Sequence, residues 1–394
     1  MRRAGPSWIA SAFVARLPYA MLPLTMVLFG RALTGSFALA GLLMAAYSLG
    51  GASGAPIVGL LADRFGRRRA LLALTAAAAV SIAALAALAF VPAPLAVQVL
   101  VSAVVGACNG QVGAMARAGW SAALDEEPQG FHQVEVAMSY ETVADEVSFV
   151  AGPILGATLA ASLSPVFALG VAWVLLVVAQ TAFAFQLPAA RTTAGGRPHG
   201  RVPGRIAAWL AVSFVVGAVF GTTQTGLAAL LQGTPDEVWT GVVYGAMGVG
   251  SALSGAFAHR LLRRWSLPVR VVGSGLVLAV LAAGLALTDR PWALALACFG
   301  IGLCVAPLLI AASTGTERLA EAGNTLVLTL LSTASMVGVG GGASAAGWLI
   351  DSLGASAALV APSVLGVAAA LAGILARVTR ADVRALRSGR RTSP

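Results

Sequence analysis

The sequence predicts an all-α membrane protein with twelve transmembrane helices in two pseudo-symmetric halves of six helices each. The chain of 394 residues is 58% hydrophobic and only 10% charged, which is too apolar for a soluble protein of this size. Apolar stretches of roughly 20 residues, the length that crosses a hydrocarbon core, recur along the whole chain. A charged connection near residue 60 is nearly repeated 196 residues later, which indicates two related halves.

The twelve helices are placed by the apolar stretches and by the turn residues between them. Proline, glycine, serine and aspartate mark the breaks. The predicted spans are residues 7–30, 37–60, 70–91, 95–119, 136–162, 165–187, 205–231, 237–258, 269–288, 291–313, 324–349 and 355–378.

The basic residues, all 25 of which are arginine, predict the orientation. With the N-terminus inside, 22 of them fall in cytoplasmic segments, Arg31 and Arg290 fall outside, and Arg16 lies within the first span. Because basic residues are enriched in cytoplasmic loops, both termini are predicted to be cytoplasmic, in a bacterial inner membrane. The net charge of +10 is therefore explained by membrane orientation, and no nucleic-acid partner is predicted.

The chain divides into four segments at its changes of composition. Residues 1–188 form the predicted N-terminal half, 189–204 a polar and basic cytoplasmic linker, 205–380 the C-terminal half, and 381–394 a cytoplasmic basic tail. No connection is long enough to hold a soluble enzyme or an extracellular binding domain.

The repeated connection carries a family resemblance. It reads Gly-Leu-Leu-Ala-Asp-Arg-Phe-Gly-Arg-Arg at residues 59–68 and Gly-Ala-Phe-Ala-His-Arg-Leu-Leu-Arg-Arg at residues 255–264. The first copy resembles the hallmark loop between helices 2 and 3 of the major facilitator superfamily, and the twelve spans extend the resemblance over the whole chain. The resemblance implies a monomeric transporter that works by alternating access to a site between its halves.

The first copy is expected to act as a conformational latch, which is the role the resemblance implies. A carboxylate at the cytoplasmic end of one helix can meet the positive N-terminal end of a helix from the other half. Such a contact exists in one conformation and breaks in the other, while the arginines also anchor the loop at the anionic leaflet. The second copy has His259 and Leu262 instead of the aspartate and the second glycine, so it is expected to contribute less. The latch residues are Gly59, Asp63, Arg64, Gly66, Arg67 and Arg68.

The fifth predicted span contains Gly152, Pro153 and Gly156. This segment resembles the Gly-Pro motif of proton-coupled drug exporters in the same superfamily, with Ala157 where a second glycine is usual. The proline removes a backbone donor and is expected to kink the helix, while the glycines allow a partner helix to approach closely.

Four charged residues lie five or more residues from the ends of predicted spans: Arg16 in the first, and Glu141, Asp145 and Glu146 in the fifth. Charges within a span are costly and usually paired. Helices 1 and 5 are neighbours in the superfamily fold, so the arginine can reach one of the acids. We expect Asp145 or Glu146 to carry a coupling proton. The alternative is a static salt bridge, which is favoured for Glu141 because it lies near the membrane interface.

Polar and aromatic residues near mid-span are candidates for the substrate cavity, although single residues of this kind often serve only in packing. They are Phe13, Tyr19, Met26, Asn109, Gln111, Phe220, Thr223, Gln224 and Tyr244. Tryptophans near span ends are expected at the membrane interface: Trp8, Trp120, Trp209, Trp265, Trp292 and Trp348.

The predicted function is secondary active transport, with proton-coupled efflux of small amphipathic compounds or drugs as the first choice. An uptake carrier or uniporter for a metabolite such as a sugar or carboxylate is one alternative, and a non-transporting sensor or assembly protein is another. The sequence has no nucleotide-binding loop, metal-ligand spacing or nucleophile–base pair, so neither an enzyme activity nor a metal or organic cofactor is predicted. The expected partners are the lipid bilayer, a small-molecule substrate and protons.

Overall fold

A computed structural model describes residues 5–124, 130–187, 206–262, 265–319 and 325–389. Within these ranges the chain is helical and contains no strand. The predicted linker, 189–204, lies outside the described residues. So do Arg263 and Arg264, at the end of the second charged connection.

Twelve long helices follow one another through the described ranges, and we number them in chain order. They are α1 (Gly5–Val14 and Leu17–Thr34), α2 (Phe37–Phe65), α3 (Arg67–Ala87), α4 (Leu95–Ala107 and Val112–Leu124), α5 (Gly130–Ser162), α6 (Pro165–Leu175, continuing through a π-helical turn, Leu176–Gln180, to Thr181–Gln186), α7 (Ala207–Leu231), α8 (Thr240–Leu262), α9 (Leu267–Ala283), α10 (Pro291–Glu317), α11 (Thr325–Leu353) and α12 (Ala355–Gly389).

Ten of these helices are long and apolar enough to cross a membrane by length and composition. The two others, α8 and α11, have 23 and 29 residues and lie where the eighth and eleventh spans are predicted. Both are rich in glycine and serine, which lowers their mean hydropathy without interrupting the helix. At 1.5 Å per residue each is about 35 Å or longer, enough for a hydrocarbon core of about 30 Å.

The two halves repeat one packing scheme. In the first half α1 packs against α5 and α2 against α4, and in the second half α7 packs against α11 and α8 against α10. The halves meet through two corresponding pairs, α2 with α11 and α8 with α5. The predicted all-α membrane fold with two pseudo-symmetric six-helix halves is therefore confirmed.

Two helices that the sequence predicts as continuous are broken. The break in α1 falls at Ala15 and Arg16, and the break in α4 falls between Ala107 and Val112. Gln111, the last residue of the α4 break, adopts a positive φ of 48°, which is incompatible with a regular helix, and the second segment begins directly after it. Hydropathy does not detect these breaks, because the interrupting residues lie within otherwise apolar segments.

Several helix boundaries also differ by three or more residues from those predicted. The second helix continues to Phe65 rather than residue 60, and the third begins at Arg67 rather than residue 70. The last helix continues to Gly389 rather than residue 378, so most of the predicted tail is helical in its backbone.

The halves are joined at one end of the bundle. We call the end with the α1–α2 connection the outer end, and the end with the α2–α3 connection the inner end. At the outer end the carboxylate of Asp351, in the last turn of α11, accepts hydrogen bonds from the N–H groups of Phe37 (3.1 Å) and Ala38 (3.0 Å) and from the hydroxyl of Ser36.

The contact between α2 and α11 continues toward the middle of the bundle, where Gly51 faces the side chain of Met336. Nearer the inner end, no described atom lies within 4 Å of the position that a Cβ would take at Gly59. The described parts of α2 and α11 are thus in contact in the outer part of the bundle and leave Gly59 open.

Candidate functional site

An ion-pair cluster lies in the inner part of the first half, where the break in α1 faces α5. The Nε of Arg16 donates to Oδ1 of Asp145 at 2.7 Å, and its Nη2 pairs with Glu141. Its Nη1 donates to the carbonyl of Ala12 at 2.6 Å. Only 6% of the arginine side chain is exposed, and a buried charge is stable only when it is paired. Two acids on adjacent turns of α5 provide that pairing.

Glu141 is the buried anchor of the cluster. Its side chain is completely buried, and its second oxygen accepts a hydrogen bond from the indole N–H of Trp120 at 2.7 Å. Trp120 of α4 covers this turn of α5, and the position of Glu141 near the membrane interface stays a prediction. Its expected static role remains an interpretation, and the absence of exposed surface supports it.

Asp145 is shared between two arginines. Oδ1 binds Arg16 and Oδ2 binds Nη2 of Arg117, from the second segment of α4. The aspartate side chain is 26% exposed and that of Arg117 is 39% exposed, so this pair borders open space while Glu141 does not. Sequence reasoning assigned Arg117 to a cytoplasmic loop. Its position inside the predicted span 95–119 was the available signal, since a charge within a span is usually paired.

A cavity of about 230 Å³ borders the shared aspartate. Its polar lining includes three predicted cavity residues, Tyr19, Asn109 and Gln111. Phe149 and Val112 provide apolar surface. The polar lining residues are Arg16, Tyr19, Asn109, Gln111, Arg117, Asp145 and Ser148.

The helix breaks form part of this site, because Arg16, Asn109 and Gln111 lie in them and line the cavity. Each break also frees a backbone carbonyl, which accepts a hydrogen bond from a side chain. The hydroxyl of Tyr19 donates to the carbonyl of Cys108 in the α4 break at 2.9 Å. The amide of Gln180, fully buried in the π-helical turn of α6, donates to the carbonyl of Ala15 in the α1 break at 3.3 Å. Broken helices beside a cavity are typical of binding sites in membrane transporters.

Glu146 is separate from the ion-pair cluster. Its side chain is partly buried and makes no hydrogen bond or ion pair within the described parts of the chain. One helical turn further along α5, Val150 packs against Gly248 of α8. Residues four apart share a helix face, so Glu146 lies on the side of α5 that meets the second half.

The Gly-Pro segment of α5 lies between two helices. A Cβ at Gly152 would overlap Ala20, and one at Gly156 would overlap Thr25 of α1. On another side, Gly241 of α8 packs against the carbonyl of Pro153. These small residues allow α1, α5 and α8 to approach closely, which places the α1 and α5 charges within ion-pair distance.

The other predicted cavity residues do not line this cavity. Phe13 borders a separate apolar groove between α1 and α5, and Met26 is fully buried in an apolar core. Phe220 and Tyr244 pack partly buried against the core of the second half. Thr223 and Gln224 are buried, and their polar side-chain atoms have no hydrogen-bond partner among the described residues.

The six tryptophans divide into two groups. Trp265, Trp292 and Trp348 are exposed, as an interfacial position requires. The interfacial prediction is wrong for Trp8, Trp120 and Trp209, which are at most 5% exposed. Trp8 packs edge-on against Trp120 with ring centroids 5.7 Å apart. The indole N–H of Trp120 in turn donates to Glu141.

The predicted latch residues lie at the inner end. Nη1 of Arg67 donates to the carbonyl of Ala118, near the end of α4, at 2.7 Å, and the guanidinium of Arg68 lies 4.3 Å from the ring centroid of Phe185. Gly66 links α2 to α3 with a positive φ of 84°. Asp63 and Arg64 are exposed, and Asp63 makes no ion pair or hydrogen bond with any described residue.

Two six-helix halves, with a charged cavity beside broken helices in the first half, are the architecture of a membrane transport protein. The sequence profile of the Major Facilitator Superfamily matches residues 8–324, and the chain belongs to this superfamily. No curated protein matches it in sequence.

Solved transporter structures share the fold. A nucleoside transporter, NupG, superposes with a TM-score of 0.76 at 12% identity, covering 94% of this chain and 98% of that one. The POT family transporter PepTSo gives 0.74 at 12% identity, with 98% and 99% coverage. The human organic anion transporter MFSD10 gives 0.62 at 19% identity, with 94% and 99% coverage.

Proposed function

We propose that the protein is a proton-coupled secondary transporter for small organic compounds in a bacterial inner membrane, with both termini in the cytoplasm. The observation that carries this proposal is Asp145, a partly exposed carboxylate at the cavity that is held by two arginines. A proton arriving from the cavity would neutralise Asp145 and weaken both ion pairs. Glu141, which is fully buried, is the fixed partner of Arg16.

The conformation fits one stage of an alternating-access cycle. With cytoplasmic termini, the joined outer end faces the exterior, and the inner end, where no described atom lies near Gly59, faces the cytoplasm. In the opposite stage, Asp63 would meet the N-terminal end of α11, where a helix favours a nearby carboxylate. The arginines at 64, 67 and 68 would hold the loop at the membrane surface during this exchange.

The first candidate activity is export of small amphipathic compounds driven by inward proton flow. The Gly152-Pro153 segment supports it through its resemblance to proton-coupled drug exporters. Phe149 and Tyr19 add aromatic surface beside the polar groups of the cavity. A proton that crosses a potential of 100 mV releases about 2.3 kcal/mol, which a pH difference increases.

The second candidate is uptake of small carboxylates together with a proton. The observation that favours it is the presence of Arg117 beside Arg16 at the cavity, since the two guanidiniums can bind a carboxylate when Asp145 is protonated. In this case the proton and the substrate move in the same direction.

The two candidates are tested with purified protein in liposomes that contain a pH-sensitive dye. Cationic, neutral and carboxylate compounds are added in turn, and compound-dependent proton movement is measured. We expect proton movement with the wild type and with the control Asp289→Asn, in an exposed outer loop, and none with Asp145→Asn. Proton movement opposite to the compound indicates export, and movement with the compound indicates uptake.

The variant Glu146→Gln decides between the two acids. If it abolishes proton movement while Asp145→Asn retains it, the coupling group is Glu146 and not Asp145. If the compound crosses at the same rate in the wild type and in both variants, independently of the gradient, the protein is a facilitator and proton coupling is excluded.

A further inference from the structure

We propose that the substrate carries a carboxylate or a monoanion of similar size, which binds between Arg16 and Arg117 in place of the Asp145 carboxylate. The inference rests on the proposed function in one respect, namely that protonation of Asp145 is part of the cycle. It names the chemical class of the substrate and the two residues that recognise it.

The two arginines already form a carboxylate-binding pair. Nε of Arg16 donates to one oxygen of Asp145 and Nη2 of Arg117 donates to the other, from two different helices. Charge-assisted hydrogen bonds of this kind are among the strongest in proteins. When Asp145 is protonated, both donors keep their positive charge and face a neutral group, so an incoming carboxylate can satisfy them.

The position of Arg16 does not depend on Asp145. Its Nη1 remains bound to the carbonyl of Ala12, and its Nη2 remains paired with Glu141, which Trp120 also holds. The guanidinium is therefore fixed before the substrate arrives, and little conformational entropy is lost on binding.

The balance of charge selects a monoanion. Asp145 faces Arg16 from α1 and Arg117 from α4, with Glu141 one turn away on its own helix, and these four groups together are neutral. Glu146 follows Asp145 directly on the side toward α8. A proton on Asp145 removes one negative charge from between the two arginines, and the carboxylate of one bound monoanion replaces it.

The rest of the cavity suits a small amphipathic body. Its volume of about 230 Å³ corresponds to roughly eight water molecules, at about 30 Å³ each. Phe149, Val112 and Ala20 offer apolar contact, while Asn109 and Gln111 can hydrogen-bond to a second polar group. A short aliphatic or aromatic monocarboxylate fits both the volume and the lining.

Binding is measured without a gradient, from the thermal unfolding of the purified protein in detergent. The probes are straight-chain and aromatic monocarboxylates of roughly two to eight carbon atoms, each with its uncharged amide as a control for apolar contact. We expect the carboxylates to raise Tm more than their amides, and more strongly in acid. Because one proton is taken up with each anion, affinity should rise by up to about tenfold for each unit that pH falls.

Two variants locate the site. Asp145→Asn keeps the shape of the side chain and removes its charge, so carboxylate affinity should become independent of pH and equal that of the wild type in acid. Arg117→Gln should weaken binding by about tenfold to a hundredfold, with partial recovery in Arg117→Lys, which keeps the charge and loses the planar geometry. The exposed loop variant Arg290→Gln should bind as the wild type does.

The inference is overturned if every carboxylate stabilises the protein no more than its amide, or if affinity increases with pH. It is also overturned if Arg117→Gln binds as the wild type does. If Asp145→Asn fails to fold, two results still test the inference: the pH dependence of carboxylate binding to the wild type, and the carboxylate affinity of the Arg117 variants. Carboxylate binding without proton-coupled transport would refute only the proposed coupling, whereas coupled transport of neutral or cationic compounds without carboxylate binding would refute only this site.

Discussion

Asp351 caps the first turn of α2 from the opposite half of the molecule, with its carboxylate 3.1 Å from the backbone nitrogen of Phe37. A carboxylate is stabilised at a helix N-terminus, where N–H groups lack partners. The helices α2 and α11 run in opposite directions, so the inner end of the same pair places Asp63 on the side where α11 begins. The two ends of one helix pair thus carry acids suited to opposing latches, and among the described residues the outer acid makes such a contact while the inner one does not.

The variants Asp351→Asn and Asp63→Asn are predicted to shift the conformational equilibrium in opposite directions. Asp351→Asn weakens the hydrogen bonds that join the outer end, so the fraction of molecules with an open outer end should rise by about tenfold. Asp63→Asn removes a contact expected only when the inner end is closed, and should lower that fraction.

The measurement is the distance between spin labels in two exposed outer loops, at Ala89 in the first half and Asp289 in the second, after the three cysteines are replaced by serine. The predicted latch pair is disproved if both variants move the distance distribution in the same direction, or if neither moves it.

The fold was predictable because its main determinants are local. Apolar length gave the spans, and the repeated arginine-rich connection gave the two halves. The cost of a charge within a span indicated that Arg16 would be paired with an acid of α5. Arg117 was missed because it lies two residues from the end of its predicted span, where topology alone explains an arginine.

Other features of the site depend on packing that hydropathy does not record. Trp120 and Trp292 both lie near span ends. Trp120 is buried and donates a hydrogen bond to Glu141, whereas Trp292 is exposed. Their difference is set by the direction of each side chain relative to its neighbours. The α4 break did have a local signal, since Asn109 and Gly110 form a turn-favouring pair within an apolar stretch.

Glu141→Gln is predicted to destabilise the protein more than Asp145→Asn does. The glutamine can still accept the hydrogen bond of Trp120, so the change isolates the charge that neutralises Arg16. Losing one partner of a fully buried ion pair costs about 3–5 kcal/mol, whereas Asp145 is partly exposed and its loss costs less. Thermal unfolding in detergent measures which of the two variants is less stable. Glu237→Gln, in the short turn between α7 and α8 at the outer end, is the control. Equal Tm values for the two cluster variants would contradict the anchoring role of Glu141.

Gly152→Ala is predicted to separate α1 from α5. The added methyl group would overlap the backbone of Ala20, and overpacking of this kind costs about 1–3 kcal/mol. The displacement should lengthen the Arg16–Asp145 contact, so Tm and transport should both fall. Gly170→Ala in α6 is the matched control, since a Cβ there meets no described atom within 4 Å and should leave Tm unchanged or slightly raised. Similar Tm values for the two alanine variants would show that close packing at Gly152 is not required.

Gln224→Leu and Gln180→Leu are predicted to change stability in opposite directions, although both replace a buried amide in a membrane helix. Both polar atoms of Gln224 are buried without a hydrogen-bond partner among the described residues, which costs about 1–3 kcal/mol in this conformation. Leucine removes that cost and should raise Tm. Gln180 instead donates to the carbonyl of Ala15 and accepts from Thr75 at 3.0 Å. Leucine removes both hydrogen bonds and leaves the Ala15 carbonyl, in the α1 break, without this donor, so Tm should fall.

The buried amide of Gln224 is also expected to affect the rate of transport. Gln224 is buried without a partner among the described residues in this conformation. If its amide finds a partner at another stage of the transport cycle, the glutamine stabilises that stage relative to this one. Stabilising this conformation with Gln224→Leu should therefore slow transport while Tm rises. A variant with raised Tm and unchanged transport would show that Gln224 has no part in the cycle.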